Sequence, residues 1–276
     1  MAPLKARTLL LLGAGKMGGA LLERWLEQGV VDAGQVAVID PAPSPQLSRL
    51  AAAHPIALNP PIDGFAPGSL SAIILAIKPQ EMFRVLPRLK PLAVPETVFL
   101  SVAAGTTSES IAKHLGAVAR IVRAMPNSPA VIGRGISGVF MPKSISDRQR
   151  ELCIELLKAV GEVVTLDDER LLDPVTAVSG SGPAYVFLLI ECLAAAAADV
   201  GLPKTVALTL AKATVAGAGE LAWRSDEPPA TLRQNVTSPG GTTEAALDIL
   251  MRGDGLSALL HRAVRAAVER ARQLNA

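Results

Sequence analysis

A glycine-rich turn near the N-terminus constrains the fold of this chain more than any other feature. Residues 13–18, GAGKMG, have the spacing G-x-G-x-x-G and directly follow the short apolar run 8–12. Leu21, Leu22 and Trp25 then recur at helical spacing. A strand that enters a helix through three glycines is typical of the first βαβ unit of a doubly wound, Rossmann-like sheet. The turn therefore predicts a parallel sheet with helices on both faces and a phosphate site at the start of the first helix.

The three glycines and a later carboxylate have separate tasks in binding a dinucleotide. Gly13 allows the tight turn, Gly15 lets a pyrophosphate approach the backbone, and Gly18 lets helix and strand pack closely. Asp40 ends the apolar run 36–40 and lies 22 residues after Gly18, near the spacing of about 20 expected for a carboxylate that binds the ribose 2′-OH. Because such a carboxylate repels a 2′-phosphate, Asp40 favours NADH, although a distant cation could still bind the phosphate of NADPH.

Strand-like and helix-like segments alternate over residues 1–166. The short apolar runs are of the kind found in strands that are covered on both faces. Their alternation with helical patterns predicts an α/β dinucleotide-binding domain with a doubly wound parallel sheet. The predicted strands are 8–12, 36–40, 71–77, 97–104, 119–125, 138–141 and 162–166.

The pattern changes at Asp167, and residues 167–276 contain no strand-like alternation. Proline and glycine punctuate a series of helices there, which predicts an all-helical second domain packed with the first. The apolar run 185–198 includes Glu191 and is shorter than the roughly 20 apolar residues that span a bilayer. We therefore expect a buried helix of a soluble protein and no membrane contact. The first predicted helix begins near Pro183, and the others cover 203–223, 242–252 and 256–274.

Composition excludes several other classes of protein. Half of the 276 residues are apolar, only 3% are aromatic, and the net charge is +2 without a basic block. The chain therefore lacks the basic surface and the stacking side chains that bind nucleic acid. Cys153 and Cys192 stand alone in apolar helical contexts, as buried, reduced thiols of a cytoplasmic protein do. Three scattered histidines predict no metal site.

A general acid for hydride chemistry on an alcohol is hard to find in this sequence. His54, His114 and His261 are each more typical of surface or packing positions. Lys78 follows the predicted strand 71–77, at the sheet edge where ligands bind, and it can equally be a solvated lysine at a loop start. The lack of an acid–base pair indicates a substrate that arrives already activated, such as a protonated imine.

Two glycine-rich segments stand at helix starts in the helical domain. Residues 179–183, SGSGP, precede one helix, and residues 236–244, VTSPGGTTE, precede another. Paired glycines, hydroxyl groups and backbone N–H groups at a helix N-terminus suit a small carboxylate. The alternative is an ordinary helix start in which Glu244 completes a capping box.

Six segments, taken in order, resemble the motifs of pyrroline-5-carboxylate reductase. The similarity covers nearly the whole chain, and the last two segments are highly specific to that family. It implies an enzyme that reduces the cyclic imine of pyrroline-5-carboxylate to proline with NADPH or NADH, the final step of proline biosynthesis. It also implies a dinucleotide domain and a helical dimerisation domain that interlocks two subunits, with five such dimers often forming a decamer. The segments are 13–18, 75–80, 101–105, 123–130, 179–185 and 236–243.

The resemblance also implies roles for individual residues. Thr243 hydrogen-bonds the ring nitrogen of the substrate and orients the ring, which makes it the catalytic residue. Ser238, Gly240, Gly241 and Thr242 bind the substrate carboxylate. The residues implied for the cofactor are Gly13, Ala14, Gly15, Lys16, Met17, Gly18, Ala76, Ile77, Lys78, Pro79, Met125 and Asn127.

Departures from the family pattern and two other hypotheses stay open. Asp40 and the following proline stand where many members carry a basic or hydroxyl pair suited to a 2′-phosphate, so the choice between NADPH and NADH is open. Asp226 and Glu227 receive no role. A β-hydroxyacid dehydrogenase would carry a catalytic lysine near Gly182, and none stands there. A dinucleotide-binding regulator without catalysis would not need the segment 236–243.

Overall fold

A single β-sheet dominates the first part of the chain. The computed structural model describes residues 8–275. The strands of this range are β1 Leu9–Leu12, β2 Val36–Ile39, β3 Ala57–Leu58, β4 Ala72–Leu75, β5 Val98–Ser101, β6 Arg120–Met125, β7 Gly135–Phe140 and β8 Gly161–Leu166. They lie side by side in the order β3-β2-β1-β4-β5-β6-β7-β8.

Helices connect the strands and form the rest of the chain. They are α1 Lys16–Glu27, α2 Pro45–Ala53, α3 Pro79–Leu89, α4 Ser108–Leu115, α5 Asp147–Lys158, α6 Leu172–Val175, α7 Gly182–Asp199, α8 Lys204–Arg224, α9 Pro229–Asn235, α10 Thr242–Leu250 and α11 Leu256–Asn275. Several begin at caps that the sequence already contains. Ser44 caps α2, Thr107 caps α4, and Ser146 forms a capping box with Gln149 at the start of α5.

The strand directions confirm the predicted doubly wound sheet and correct one part of it. Every pairing from β3 across to β6 is parallel, the β6–β7 pairing is antiparallel, and β7 and β8 are again parallel to each other. The prediction that all strands run parallel is therefore wrong for β7 and β8. The connection 126–134 contains only a short 3-10 helix, whereas a parallel crossover needs about a dozen residues or more. The two-residue strand β3 was not predicted.

The sheet is covered on both faces, as its apolar runs predict. The first and third residues of β1 lie in one buried cluster with α1 and α5, and the second and fourth lie in another with α3 and α4. Trp25 of α1 is fully buried, and its indole N–H donates to the carbonyl of Leu156 in α5 at 2.7 Å. These layers leave the loops at the carboxyl ends of the parallel strands as the edge where ligands bind.

The described residues form two compact units. The sheet unit consists of residues 8–180 and 268–275, and the helical unit consists of residues 181–267. The end of α11 thus belongs to the sheet unit, where Leu274 lies beside Gly105 in the loop after β5. The predicted boundary between residues 166 and 167 stays a prediction about domain organisation.

The helical unit is built from helices alone, as predicted, with α9 as an addition. It leaves most of its apolar surface uncovered. In α7 no residue is buried, and Phe187 and Leu188 are 58% and 57% exposed. The prediction that 185–198 is a buried helix is therefore wrong for the single chain. Within the chain, α7 packs mainly against α8, which covers only one side of it. Cys192, also expected to be buried, is exposed.

By length and composition, one helical stretch in the described range could cross a membrane. It runs over Glu169–Asp199 with a mean hydropathy of 1.6, and none of its most apolar window is buried. An exposed apolar surface of this size requires a cover, which can be a partner chain or lipid.

Candidate functional site

The glycine turn between β1 and α1 has the shape that a dinucleotide site needs. Gly13 has a φ of +84°, and a Cβ there would lie 2.7 Å from the carbonyl oxygen of Ala76 and 2.8 Å from Cγ2 of Ile77. A Cβ on Gly18 would meet the backbone of Gly13. At Gly15, by contrast, a Cβ would meet no atom within 4 Å. The turn is thus closed on the side of β4 and open at Gly15, where the sequence places the pyrophosphate.

A cleft of about 410 Å³ adjoins the open side of this turn. The first residues of α1 contribute backbone N–H groups there that have no acceptor within the helix. Those groups and the positive end of the helix dipole suit a phosphate. The residues present therefore fit a dinucleotide. The cleft is lined by Ala14, Gly15, Lys16, Met17, Gly19, Ala20, Glu23, Ser44, Gln46, Ser128 and Val131.

Asp40, which the sequence predicts to bind the ribose, lies beside the glycine turn and makes backbone contacts that the sequence did not reveal. Its Oδ2 atom accepts a hydrogen bond from the N–H group of Ala14 at 2.8 Å, and Oδ1 accepts one from Ala42 at 2.9 Å. The backbone N–H of Asp40 itself donates to Oδ1 of Asn59 at 2.8 Å. Each carboxylate oxygen can accept two hydrogen bonds, so capacity for a ribose hydroxyl is left.

The ends of β4 and β6 hold the other residues expected to bind the cofactor. Lys78 precedes α3 as its N-cap residue, and Pro79 is the first residue of that helix. Met125 ends β6 and is half-buried. The side chain of Asn127 is largely buried, and its Oδ1 accepts a hydrogen bond from the N–H of Ile136 at 2.9 Å. Asn127 therefore also anchors the start of β7.

The start of α10 gathers the residues expected to bind the substrate carboxylate. Gly241 is the N-cap residue, and Gly240 has a φ of +67°. The N–H of Gly241 donates to the carbonyl of Ser238 at 3.0 Å, and the N–H of Gly240 donates to Oε2 of Glu244 at 2.7 Å. Two of the expected carboxylate donors thus have partners within the chain. Glu244 takes part in the helix start, close to the alternative that the sequence left open.

The two groups of predicted residues lie in different parts of the described chain. The cofactor residues belong to the sheet unit, whereas Ser238 to Thr243 belong to the helical unit. The histidines are not drawn into either group: His114 stacks on Phe83 with ring centroids 5.0 Å apart, and His261 lies on α11. In the range 8–275, no three His, Cys, Asp or Glu side chains come together as a metal site.

Sequence reasoning missed an ion pair between a buried arginine and a partly buried glutamate next to the expected nicotinamide residues. Arg123 of β6 is 6% exposed, and its Nη1 donates to Oε1 of Glu169 at 2.9 Å. The same carboxylate accepts from the N–H of Ser108 at 2.7 Å and from its hydroxyl at 2.5 Å. A buried cation in an apolar strand needs a partner of opposite charge. The position of Arg123 in β6 could therefore have indicated an ion pair.

Burial and hydrogen bonding act on Glu169 in opposite directions. Partial burial raises the pKa of its carboxyl group, but the hydrogen bonds from Ser108 and the ion pair with Arg123 outweigh this effect. The pKa of Glu169 is therefore below its ordinary value, and the pair is charged at neutral pH.

Comparison with known proteins places the chain in one family. The pyrroline-5-carboxylate reductase dimerisation family matches residues 169–274, and the family described as NADP oxidoreductase, coenzyme F420-dependent, matches residues 8–105. The pyrroline-5-carboxylate reductase of Pseudomonas aeruginosa is 39% identical over 263 residues, which are 95% of each chain. That of Pisum sativum is 35% identical, with 97% of this chain and 96% of the other covered.

Solved structures agree with the sequence relatives. The pyrroline-5-carboxylate reductase of Coxiella burnetii matches with a TM-score of 0.91 and 33% identity over 99% of this chain and 100% of the other. The pyrroline carboxylate reductase of Plasmodium falciparum, crystallised with NADP bound, matches with a TM-score of 0.83 and 26% identity over 98% of each chain. The resemblance carried by the six segments is thereby confirmed. The chain belongs to the pyrroline-5-carboxylate reductase family.

Proposed function

We propose that this chain reduces the imine bond of pyrroline-5-carboxylate with NADPH or NADH and releases proline, the last step of proline biosynthesis. The observation that carries the proposal is the 39% identity to the Pseudomonas aeruginosa reductase over 95% of the chain. The family models that match residues 8–105 and 169–274 contain the glycine turn, 13–18, and the segment 236–243, respectively. The open side of the turn at Gly15 supports the cofactor part of the proposal.

The glycine turn and the neighbouring strand ends bind the cofactor in this proposal. When bound, the reduced nicotinamide supplies a hydride. The N–H groups at the start of α1 hold the pyrophosphate beside Gly15, and Asp40 accepts a hydrogen bond from the ribose. The remaining cofactor residues, which line the strand ends and the turn, are Gly13, Ala14, Lys16, Met17, Gly18, Ala76, Ile77, Lys78, Pro79, Met125 and Asn127.

The start of α10 binds the substrate carboxylate. The hydroxyl of Ser238 and the N–H groups of the first helical turn, beginning at Thr242, donate to it, and the positive end of the helix dipole stabilises its charge. The N–H of Gly240 already donates to Glu244. It therefore becomes available to the substrate only in exchange for that side chain, whereas Gly241 shapes the turn through its bond to Ser238.

Thr243 orients the substrate ring through a hydrogen bond between its hydroxyl and the ring nitrogen. The imine arrives protonated, so addition of the hydride to the carbon leaves a neutral amine. This amine is basic enough to take its second proton from water. No buried general acid is therefore required, and the positions of His114 and His261 outside the two groups of site residues are consistent with this chemistry.

One assay tests the proposal. Purified protein is given pyrroline-5-carboxylate with NADH and, separately, with NADPH, and a panel of 3-hydroxyacids with the oxidised cofactors serves as the comparison. We expect oxidation of at least one reduced cofactor with the imine and no turnover of the hydroxyacids. Absence of turnover of the imine with both cofactors would contradict the proposed function.

We also propose that the helical unit forms a homodimer and that five dimers assemble into a decamer. The dimerisation family that matches residues 169–274 supports an oligomer. The exposed side chains of α7 and an apolar groove of about 840 Å³ along α10 and α11, with Leu247, Leu250 and Leu260 in its wall, are suitable contact surfaces. Light scattering after gel filtration should give ten times the chain mass of 28.6 kDa. Twice the chain mass would support the dimer and contradict the decamer, and a monomer would contradict both.

We propose the cytoplasm as the location and no membrane contact. Both cysteines are unpaired, which is usual in reducing compartments. The second copy of the chain, instead of lipid, covers α7. Fractionation of the source cells should therefore recover the enzyme in the cytoplasmic supernatant without detergent, and recovery with the membrane pellet would contradict it.

A further inference from the structure

The segment that leads into α7 rests on the strand that carries Met125. We call residues 169–180 the docking segment. At its start Glu169 is paired with Arg123 of β6. In its middle Val175 lies so close to Gly138 of β7 that a Cβ on that glycine would be 2.8 Å from Cγ1 of the valine. The segment is thus held against β6 and β7 before it reaches its last residue.

The last residue of the docking segment, Gly180, makes room for Met125. A Cβ on Gly180 would lie 2.7 Å from Cε of Met125, whereas the next nearest atom, in Thr176, would be 3.7 Å away. The space at Gly180 is therefore filled by one group, the methyl group at the end of the methionine side chain. Met125 ends β6 at the carboxyl edge of the sheet, where ligands bind in such folds.

Gly180 is held in place by the helical turn that it ends. Residues Thr176–Gly180 form a π-helix, a rare conformation that is frequent at functional sites. The hydroxyl of Thr176 donates to the carbonyl of Leu172 at 2.7 Å, and that of Ser179 donates to the carbonyl of Val175 at 3.0 Å. Methionine has three rotatable side-chain bonds and takes the shape of its surroundings. Where its methyl group lies is therefore decided by the space beside it.

We propose that Gly180 is a positioning residue for the reduction: it accommodates the methyl group of Met125 and so keeps that side chain out of the volume taken by the nicotinamide ring. The inference rests on the proposed function, in which Met125 lies near the nicotinamide. A side chain at Gly180 meets only the flexible end of Met125. The methionine therefore moves, while the backbone keeps its place.

The test compares binding of the whole cofactor with binding of the part that lacks nicotinamide. Calorimetry gives the Kd of NADH or NADPH, whichever the unmodified enzyme oxidises faster. It also gives the Kd of the same molecule without nicotinamide, which is ADP-ribose for NADH and 2′-phospho-ADP-ribose for NADPH. For Gly180→Ala we expect a Kd for the whole cofactor raised about tenfold, a Kd for the ADP-ribose within about twofold of the unmodified protein, and a lower kcat. An unchanged Kd for the whole cofactor, or an equal rise for both ligands, would overturn the proposal.

Rescue and a matched control separate positioning from general loosening. Met125→Ala and Gly180→Ala/Met125→Ala should bind the cofactor equally, because the new methyl group no longer has a methionine to displace. If the two effects add, the proposal is wrong. Val175→Ala loosens the docking segment at its contact with Gly138, so it should lower Tm while the ratio of the two Kd values stays unchanged.

Two further outcomes concern a variant that fails to fold and an enzyme that lacks the proposed activity. Should Gly180→Ala fail to fold, the double variant with Met125→Ala should fold, and failure of both would overturn the proposal. Should the unmodified enzyme bind cofactor but reduce no imine, the proposed function fails. The Kd comparison still decides whether Gly180 keeps Met125 out of the nicotinamide volume.

Discussion

The carboxylate of Asp40 accepts a hydrogen bond from the backbone N–H of Ala14 at 2.8 Å. This bond ties the end of β2 to the glycine turn, and it gives one side chain two tasks. We expect its negative charge to disfavour a 2′-phosphate, and as an acceptor it holds the turn that we propose to bind the pyrophosphate. A substitution that removes both properties would therefore confuse cofactor preference with the stability of the turn.

Asp40→Asn should separate the two tasks. The asparagine oxygen can still accept from Ala14, although the side chain gives up the bond from Ala42. Because the charge is gone, the ratio of kcat/KM for NADPH to that for NADH should rise about tenfold. Asp40→Ala should raise the same ratio and in addition lose the hydrogen bonds from both Ala14 and Ala42, worth about 1 kcal/mol each, which lowers Tm by about 4–8 °C. If the ratio does not move in either variant, Asp40 is not the residue that selects the cofactor.

Thr243→Val should lower kcat/KM for pyrroline-5-carboxylate about tenfold, since one hydrogen bond to the ring nitrogen is worth about 1–1.5 kcal/mol. Valine keeps the shape of threonine, so α10 should be retained. Thr243→Ser, which restores a hydroxyl, is the matched control and should recover most of the activity. Steady-state kinetics with saturating cofactor measures the effect. A Thr243→Val enzyme with unchanged kcat/KM would remove Thr243 from the mechanism.

Most of the sheet could be predicted because local sequence determines it. The apolar runs of β1 and β4 are covered on both faces, and the caps at Ser44 and Ser146 mark helix starts. The direction of β7 depends on whether the connection 126–134 can cross the sheet, which periodicity does not show. The exposure of α7 could not be predicted either. A helix that is apolar all round can be covered by its own chain or by another, and the sequence pattern is the same.

The candidate site divides in the same way. Gly13, Gly18 and Asp40 could be predicted as site residues because the nucleotide motif has fixed spacing. The bonds that hold the site join residues far apart in sequence, 26 positions for Asp40 and Ala14 and 46 for Arg123 and Glu169. Such pairs become neighbours only when the sheet assembles, so no local sequence pattern predicts which two residues will pair.

The ion pair of Arg123 and Glu169 should stabilise the protein at neutral pH and less in acid. The pKa of Glu169 is lowered in the folded protein because the hydrogen bonds from Ser108 and the charge of Arg123 outweigh its burial. Its contribution is therefore complete above the unfolded-state pKa of about 4.3 and is lost as the pH falls through the lower folded-state pKa.

Glu169→Gln tests this dependence. It should cost about 2 kcal/mol near pH 7, less than for a fully buried pair because Glu169 is partly exposed. The difference in unfolding free energy from the unmodified protein should shrink below about pH 4. Urea unfolding at several pH values measures it, with Glu109→Gln, which breaks an exposed pair with Lys113, as the control. A difference that does not vary with pH would contradict the role of the charge.

The two cysteines should report on the assembly of α7. Burial raises the pKa of the Cys153 thiol to about 12, so this group should stay unreactive until the sheet unit unfolds. Cys192 is exposed on α7 of the single chain, and the proposed second subunit covers it. In the intact oligomer we expect slow reaction of both thiols with a disulfide reagent.

Phe187→Glu places a charge on the same apolar surface and should dissociate the oligomer, so that one thiol per chain reacts at least about tenfold faster. Cys192→Ser in that background should abolish the fast phase. Fast labelling of Cys192 in a protein that light scattering shows to be oligomeric would mean that α7 is not covered.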